Sequence, residues 1–166
     1  MSKSAPIVAA AVCAAFLLAG CAGGNSSQAR SQVTFRGPFT QLQQYPDRHV
    51  GDVVLLGGRV LGTHSNRLFS EIGVLQLPLD WSGQPVDGDL SDGRFLIRSE
   101  AFFDPEIYKK GELLSVVGQV SGSELRRVGS YDYRYPIVRA IEIKHWPRWE
   151  GYFPGVIFSF GFGASF

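Results

Sequence analysis

Five runs rich in Val, Leu, Ile and Phe, three of them with internal glycine, most constrain what this chain can fold into. They cover His49 to Thr63, Ser70 to Leu79, Arg94 to Ser99, Glu112 to Gly122 and Ile137 to Trp146. Short runs of such residues, bounded by Gly, Pro, Asp and Ser, predict strands. Gly57-Gly58 breaks the first run and Gly118 the fourth. Glycine inside a strand marks a bulge or a sharp bend, which a small barrel needs at its corners. In the third run Phe95 and Ile97 share one face and Leu96 takes the other, by the two-residue period of a strand. In the fifth, Ile137, Arg139, Ile141, Ile143 and His145 alternate with Val138, Ala140, Glu142 and Lys144. Neither face is purely apolar, so Arg139 and His145 are expected near a rim.

Between the third and fourth runs lies Phe103-Asp104-Pro105-Glu106-Ile107-Tyr108. Asp104 suits a helix cap and Pro105 the first helical position, with Lys109-Lys110-Gly111 ending the turn. Five strands with a short helix between the third and fourth predict an all-β domain, a small five-stranded Greek-key barrel of the OB type. A β-sandwich or another small β-barrel is the alternative. The barrel is assigned to residues 37–147 as one domain. A mature chain of roughly 140 residues buries about two-thirds of its unfolded surface, enough for one core.

Upstream, Lys3 precedes an apolar segment from Pro6 to Leu18 that ends in Leu18-Ala19-Gly20-Cys21. A basic start, an apolar core and small residues before a cut site read as a secretory signal. A spanning helix needs about 20 apolar residues, and this run gives out sooner, into Ala22-Gly23-Gly24-Asn25-Ser26-Ser27. The Leu-Ala-Gly-Cys ending resembles a bacterial lipobox. That resemblance implies removal of residues 1–20 and a diacylglyceryl thioether plus an amide-linked acyl chain on Cys21. Ala22 stands where lipoproteins retained in the inner membrane often carry Asp, which implies the outer membrane. Residues 21–36, small and polar, are expected to form the lipidated N-terminus and a flexible tether.

Removing residues 1–20 takes Lys3 and no acid, leaving fifteen basic residues against fifteen acidic ones. A near-neutral chain argues against a nucleic-acid partner, since backbone-driven binding needs net positive charge. Cys13 departs with the signal and Cys21 carries lipid, so the mature chain can form no internal disulfide.

Catalytic motifs are missing from the sequence. It holds no His-Glu-x-x-His, no Gly-x-x-x-x-Gly-Lys and no Gly-x-Ser-x-Gly. His49, His64 and His145 are scattered without zinc-ligand spacing. Asp87-Gly88-Asp89-Leu90-Ser91-Asp92-Gly93 imitates a calcium loop, but the sixth and twelfth positions hold Asp92 and Arg98 rather than Gly and Glu. Asp-Gly there is turn chemistry. Asp104 and Glu106 are explained by capping. No catalytic residue, metal ligand or cofactor is expected beyond the covalent lipid on Cys21.

Two features suggest a binding surface. Arg126-Arg127, placed on the loop after the fourth strand, forms a small basic patch, either a solvated tip or a contact for anionic lipid or lipopolysaccharide phosphate. Tyr131, Tyr133 and Tyr135 alternate with Asp132 and Arg134, a strand-period aromatic face. It is expected to pack beneath the barrel, or else to stack sugars or meet a partner. The tail over 148–166 carries Phe158, Phe160 and Phe162 in alternation and ends on Phe166. One such strand cannot close a membrane barrel, so the tail is expected either to pack on the domain or to touch the membrane interface.

Several segments in order carry a family resemblance. They are Gly57-Gly58-Arg59-Val60, Glu71-Ile72, Leu77-Pro78-Leu79-Asp80, Gly93-Arg94-Phe95-Leu96, Phe103-Asp104-Pro105 with Tyr108, Val117-Gly118-Gln119-Val120-Ser121-Gly122, Tyr135-Pro136 and Ile143-Lys144-His145-Trp146. From about Phe35 to Pro147 the chain resembles the Slp family, starvation-inducible outer-membrane lipoproteins of Gram-negative bacteria. The resemblance implies a lipid-anchored, periplasm-facing, non-enzymatic protein that serves envelope maintenance under stress. It supplies no catalytic residues to carry over. The expected partners are the outer membrane, through the anchor, and an envelope protein, a glycan or lipopolysaccharide. The alternative is a glycan- or lipid-binding module that uses the barrel face.

Overall fold

The computed structural model describes residues 24–147. The signal, Cys21 and the 148–166 tail lie outside the described residues. Five strands close into one barrel in the order β1-β2-β3-β5-β4. They are β1 (Val53–Ser65), β2 (Ser70–Gln76), β3 (Arg94–Ser99), β4 (Leu113–Val128) and β5 (Tyr131–Trp146). All neighbouring pairs are antiparallel except β3 with β5, joined by three parallel pairs from Leu96↔Ile137 to Arg98↔Arg139. This is the OB-like Greek-key arrangement expected from the strand pattern.

Every second residue points inward, so each strand contributes its apolar set to one core. Val54 and Val60 come from β1, Ile72 and Val74 from β2, Phe95 and Ile97 from β3, Leu114, Val116 and Val120 from β4, and Val138 from β5. Bulges then change the phase. In β5 the register slips between Val117↔Glu142 and Gly118↔Ala140, and Ile141 is displaced outward. Ala140 and Ile143 therefore pack on the core together, although strict alternation places them on opposite faces. Arg139 is exposed but lies within the ladder, paired with Arg98 and Gln119, rather than at a rim, and His145 is half-buried beside Glu112.

Two close chain approaches in the sheet fall on glycine. A Cβ on Gly58 would lie 1.9 Å from the Leu75 carbonyl oxygen, and one on Gly118 would lie 2.5 Å from Val138 Cγ1 and 2.6 Å from the Arg139 oxygen. Neither position admits a side chain while its neighbours stay in place.

The helices fall elsewhere than the sequence predicts. Phe103 to Tyr108 forms a single turn rather than a regular helix, with Asp104 accepting from the Glu106 amide at 2.8 Å. Its Phe103 and Tyr108 rings, 5.3 Å apart, cover one end of the barrel. The other end is covered by α2 (Phe39–Gln44), which buries Phe39 and Leu42 at i, i+3 and brings Phe39 within 5.9 Å of Phe95. A 3-10 turn (Pro46–His49) links α2 to β1.

A short helix α1 (Ser27–Ser31) occupies the segment expected to be a flexible tether. Ser26 caps it, accepting from the Ala29 amide at 3.1 Å, and Ala29 is buried. The Ser26 amide and hydroxyl both donate to Glu142, at 2.7 and 2.5 Å. Asn25 is buried with its side-chain oxygen accepting from Ser115. Further on, the Thr34 and Phe35 amides donate to the Val53 carbonyl. Residues 25–35 are thus docked on the barrel. Small polar residues have linker composition, but here they cap a helix and satisfy barrel groups.

Candidate functional site

The long hairpin of β4 and β5 continues past the barrel wall and curls across the outer face of β2 and β3. Its strand pairing runs without a break from Ser123↔Pro136 to Val128↔Tyr131. Arg126 and Arg127 therefore lie within β4, not on the loop that follows it, and they point to opposite sides of the ribbon. Arg127 is exposed, whereas Arg126 turns toward the barrel.

Arg126 is not a free cation. Its guanidinium donates to both oxygens of Glu71, at 2.6 and 2.8 Å, and to Glu124 at 2.7 Å. Arg98 in β3 closes the ring, donating to Glu71 at 2.8 Å and also to Glu124. The Glu71 side chain is only 8 % exposed, so two arginines compensate a buried carboxylate. Arg98 also lies over the Phe69 ring at 4.9 Å. Hydrogen bonds from Glu71, working against desolvation, raise the Arg126 pKa further above its ordinary value. Burial opposes the charge on Arg98, but bonds to Glu124 and Glu71 outweigh it. Donation by Arg126 and then Arg98 lowers the Glu124 pKa. Two positive and two negative groups leave the cluster neutral as a whole.

The tyrosines divide as well. Tyr131 is fully on the surface, while Tyr135 is buried with Leu96 and Ile137 in a small apolar cluster outside the barrel. Tyr133 packs edge-on against Tyr135 at 4.9 Å, and its hydroxyl accepts from the Arg94 amide at 2.8 Å. Burial raises the Tyr133 pKa, since the charged form would lose its water. A Cβ on Gly93 would lie 2.2 Å from that hydroxyl, so Gly93, at φ 141°, lets the arm settle. The expectation of an aromatic face packed on the barrel holds for Tyr133 and Tyr135 and not for Tyr131.

Between the arm and the outer face of β1 and β2 runs an open groove of about 340 Å³. Leu61, Thr63 and His64 form one wall; Arg94, Leu96, Arg126 and Tyr135 form the other. Gly62 and Gly73 are paired across the strands and make a floor without side chains. Of the candidate residues, the structure brings Arg126 and Tyr135 into this groove. Tyr133 lines a neighbouring hollow with Tyr45 and Arg134, and neither Arg127 nor Tyr131 lines the groove. Sequence reasoning gave no site role to Glu71, Arg94 or the two floor glycines. Their only local signal is a Glu and two Gly on strand faces, which nothing in the sequence orients toward the arm.

The histidines stay apart. His49 meets Asp52 at 2.9 Å and stacks on Phe35, His64 lies on the groove rim, and His145 meets Glu112 at 3.2 Å. Among the described residues no group of three or more His, Cys, Asp or Glu side chains is placed to hold a metal ion. Among them, too, no helix is long and apolar enough to cross a membrane. Asp87, in the segment that imitates a calcium loop, is engaged by Arg59, which also donates to the Gly88 carbonyl at 3.1 Å.

The depressed Glu124 pKa has a consequence for pH. Glu142 is also lowered, chiefly by the Ser26 hydroxyl. Each carboxylate contributes stability that is fully present above its ordinary value of 4.5 and is lost as pH falls through the lowered one. Hydrogen exchange measured from pH 6 downward is therefore expected to show the amides of the arm and of residues 25–30 losing protection below pH 4.5, ahead of the barrel core. Simultaneous loss in core and arm would contradict this.

Comparison with known proteins agrees with the sequence motifs. The chain is 25 % identical over 132 residues to the uncharacterized lipoprotein YeaY of Escherichia coli K12, covering 80 % of this chain and 68 % of that one. It is 24 % identical over 132 residues to the outer membrane protein Slp of the same organism, covering 79 % and 70 %. An uncharacterized Haemophilus influenzae protein is 35 % identical over 94 residues, covering 56 % and 51 %. Among solved structures, the chain is similar to a small single-stranded DNA-binding protein from Streptomyces coelicolor. That likeness has a TM-score of 0.41 and 12 % identity, covering 57 % of this chain and 94 % of that one. The family model for the outer membrane lipoprotein Slp family matches residues 18–156, from the Leu18–Cys21 motif through the entire barrel. The chain belongs to the outer membrane lipoprotein Slp family.

Proposed function

We propose that this protein is a lipid-anchored, periplasm-facing and non-enzymatic binding module, held by acyl chains on Cys21, whose groove takes a glycan. The observation that carries the ligand class is the neutral Glu71–Arg126–Glu124–Arg98 ring beside an open, glycine-floored groove. Anionic polymers such as DNA or lipopolysaccharide need several uncommitted cations, and both Arg98 and Arg126 are engaged by carboxylates, which leaves Arg94 alone in the groove. An uncharged, polar chain fits better. It can lie along the open floor, touch Leu61 and Leu96 with its apolar edges, and meet the polar groups of His64 and Arg94. N-acetylglucosamine, one of the two sugars of a peptidoglycan strand, has that chemistry. OB-like barrels offer their faces to oligosaccharides in general, although fold analogy alone names no ligand.

Calorimetric titration with β-1,4-linked N-acetylglucosamine oligosaccharides, which share the peptidoglycan backbone linkage and carry no charge, tests the ligand class. Binding is expected, and Gly62→Leu should weaken it at least about tenfold, about 1.4 kcal/mol, because that position opens onto free space. No heat with glycan, combined with specific capture of an envelope protein by in-cell crosslinking, would favour the protein-partner reading instead.

The anchor has its own test. Cys21→Ser is expected to leave an unprocessed precursor that retains residues 1–20, read by intact mass. Normal cleavage of the Ser variant would contradict the lipid attachment. Folding should be unchanged, because Cys21 precedes every docked residue.

A further inference from the structure

The segment leading from Cys21 into the domain is clamped to the barrel almost at once. Gly24 lies so close to the loop after β2 that a Cβ there would be 2.3 Å from the Ser82 carbonyl oxygen. Asn25 and Ser26 are held by Ser115 and Glu142, and the Arg30 guanidinium donates to the same Ser82 carbonyl at 3.2 Å. Only three peptide steps separate Cys21 from Gly24, and at about 3.6 Å per residue they span at most about 11 Å. A lipid on Cys21 therefore brings this corner of the barrel to the headgroup region, which is itself several ångströms thick.

The corner presents Trp81. Its side chain is among the most exposed large apolar groups, at 93 %. The loop that carries it is rigidly built. The Asp80 carboxylate accepts from the Ser82 amide at 2.8 Å, the Ser82 hydroxyl at 2.7 Å and the Gln84 amide at 3.0 Å. Backbone bonds between Asp80 and Gln84, with a bridge from Leu79 to Pro85, close the loop. A braced loop costs little backbone ordering when its exposed indole meets a surface. Beside it, the Arg30 guanidinium also packs within 3.4 Å of the position a Gly83 Cβ would take. A Trp with an Arg behind it matches the interface of a phospholipid leaflet, where indole rings settle among headgroups and cations meet phosphate.

We infer that the Trp81 loop docks on the bilayer that holds the lipidated Cys21, so that the barrel sits on the membrane in a fixed orientation rather than swinging on a tether. The occupant is the phospholipid headgroup surface. Glu71, which seats the arm, opens β2, whereas the Trp81 loop follows its far end. Docking through Trp81 leaves the Glu71 end of the groove facing away from the leaflet. The described chain also ends at this corner, since the Trp146 indole donates to Ser115, the residue that holds Asn25.

The inference rests on lipid attachment at Cys21, and the two are separable. Full mature protein is reconstituted into phosphatidylethanolamine–phosphatidylglycerol vesicles, with and without bromine on the acyl chains. Intact mass and vesicle flotation report the anchor. The emission difference between wild type and Trp81→Phe reports Trp81 alone, and the exposed position makes that variant safe for folding. The expected result is a blue-shifted Trp81 emission, quenched at least about twofold by the brominated lipid. Acylated protein that floats while its Trp81 emission stays water-like and unquenched overturns the docking and leaves the anchor standing. An unacylated Cys21 overturns both.

Discussion

Gly58→Ala is expected to destabilise the barrel by at least about 3 kcal/mol, among the largest effects a single methyl can have here. The added Cβ would sit 1.9 Å from the Leu75 carbonyl oxygen and 2.8 Å from Val74 Cγ1. The clash is with backbone, so no rotamer change relieves it. Gly58 pairs with Gln76 on one side and Leu114 on the other, and moving either neighbour breaks a ladder that closes the barrel. Equilibrium urea unfolding followed by circular dichroism measures the loss. Gly62→Ala, four residues on in the same strand, meets nothing within 4 Å and should stay within about 0.5 kcal/mol of wild type. Equal effects at the two positions would mean that β1 and β2 do not approach as described.

The second large effect is expected from Glu71→Ala. It removes the carboxylate that engages both Arg98 and Arg126 and leaves two partly buried guanidinium groups with Glu124 alone. Losing one partner of a fully buried pair costs roughly 3–5 kcal/mol, and the arginines here keep some water contact, so about 3 kcal/mol is expected. Glu124 lies at 39 % exposure, and Glu124→Ala should cost no more than about 1 kcal/mol. A double-mutant cycle between Glu71→Ala and Arg126→Ala isolates the coupling, expected at about 1–2 kcal/mol. Hydrogen exchange locates it, because losing Glu71 should release the amides of the hairpin arm before those of the barrel. A neutral Glu71→Ala would show that the tyrosine cluster alone holds the arm.

Much of the barrel was legible because strand patterning is local. Phe95, Ile97, Val116 and Val138 face the core as alternation predicts, and β3 begins and ends where its run does. Errors arose where the ladder departs from its period. Ile141 bulges outward, so Ala140 and Ile143 share a face that the sequence assigns to only one of them. β4 and β5 also run farther than their apolar cores, to Val128 and Tyr131. Beyond the barrel wall one face of the ribbon rests on β2 and β3 and the other meets solvent, and a ribbon rich in Ser, Glu and Arg carries little strand signal.

The candidate site was legible only in part. Tyr135 and Arg126 were singled out, and both line the groove. The role given to Arg126 was wrong in kind. As half of an Arg-Arg pair it looks like a basic patch, yet its partner Glu71 lies 55 residues away. Which charge meets which is set by the curl of the hairpin, and composition does not encode that curl.

By itself, the sequence determined the all-β class, the five strands and the glycines at the tight approaches, and it supplied the apolar segment and Leu18-Ala19-Gly20-Cys21 motif on which the proposed anchor rests. Each rests on a local property: an apolar stretch of set length, a two-residue period, or the absence of a Cβ. The tertiary structure alone decided that residues 25–35 dock on the barrel, that Glu71 neutralises the arm, and that the loop carrying Trp81 lies against Gly24 and Arg30. These depend on contacts between residues far apart in the chain, such as Ser26 with Glu142 across 116 positions. Such contacts exist only after strand register, bulges and barrel closure have set where each side chain lies.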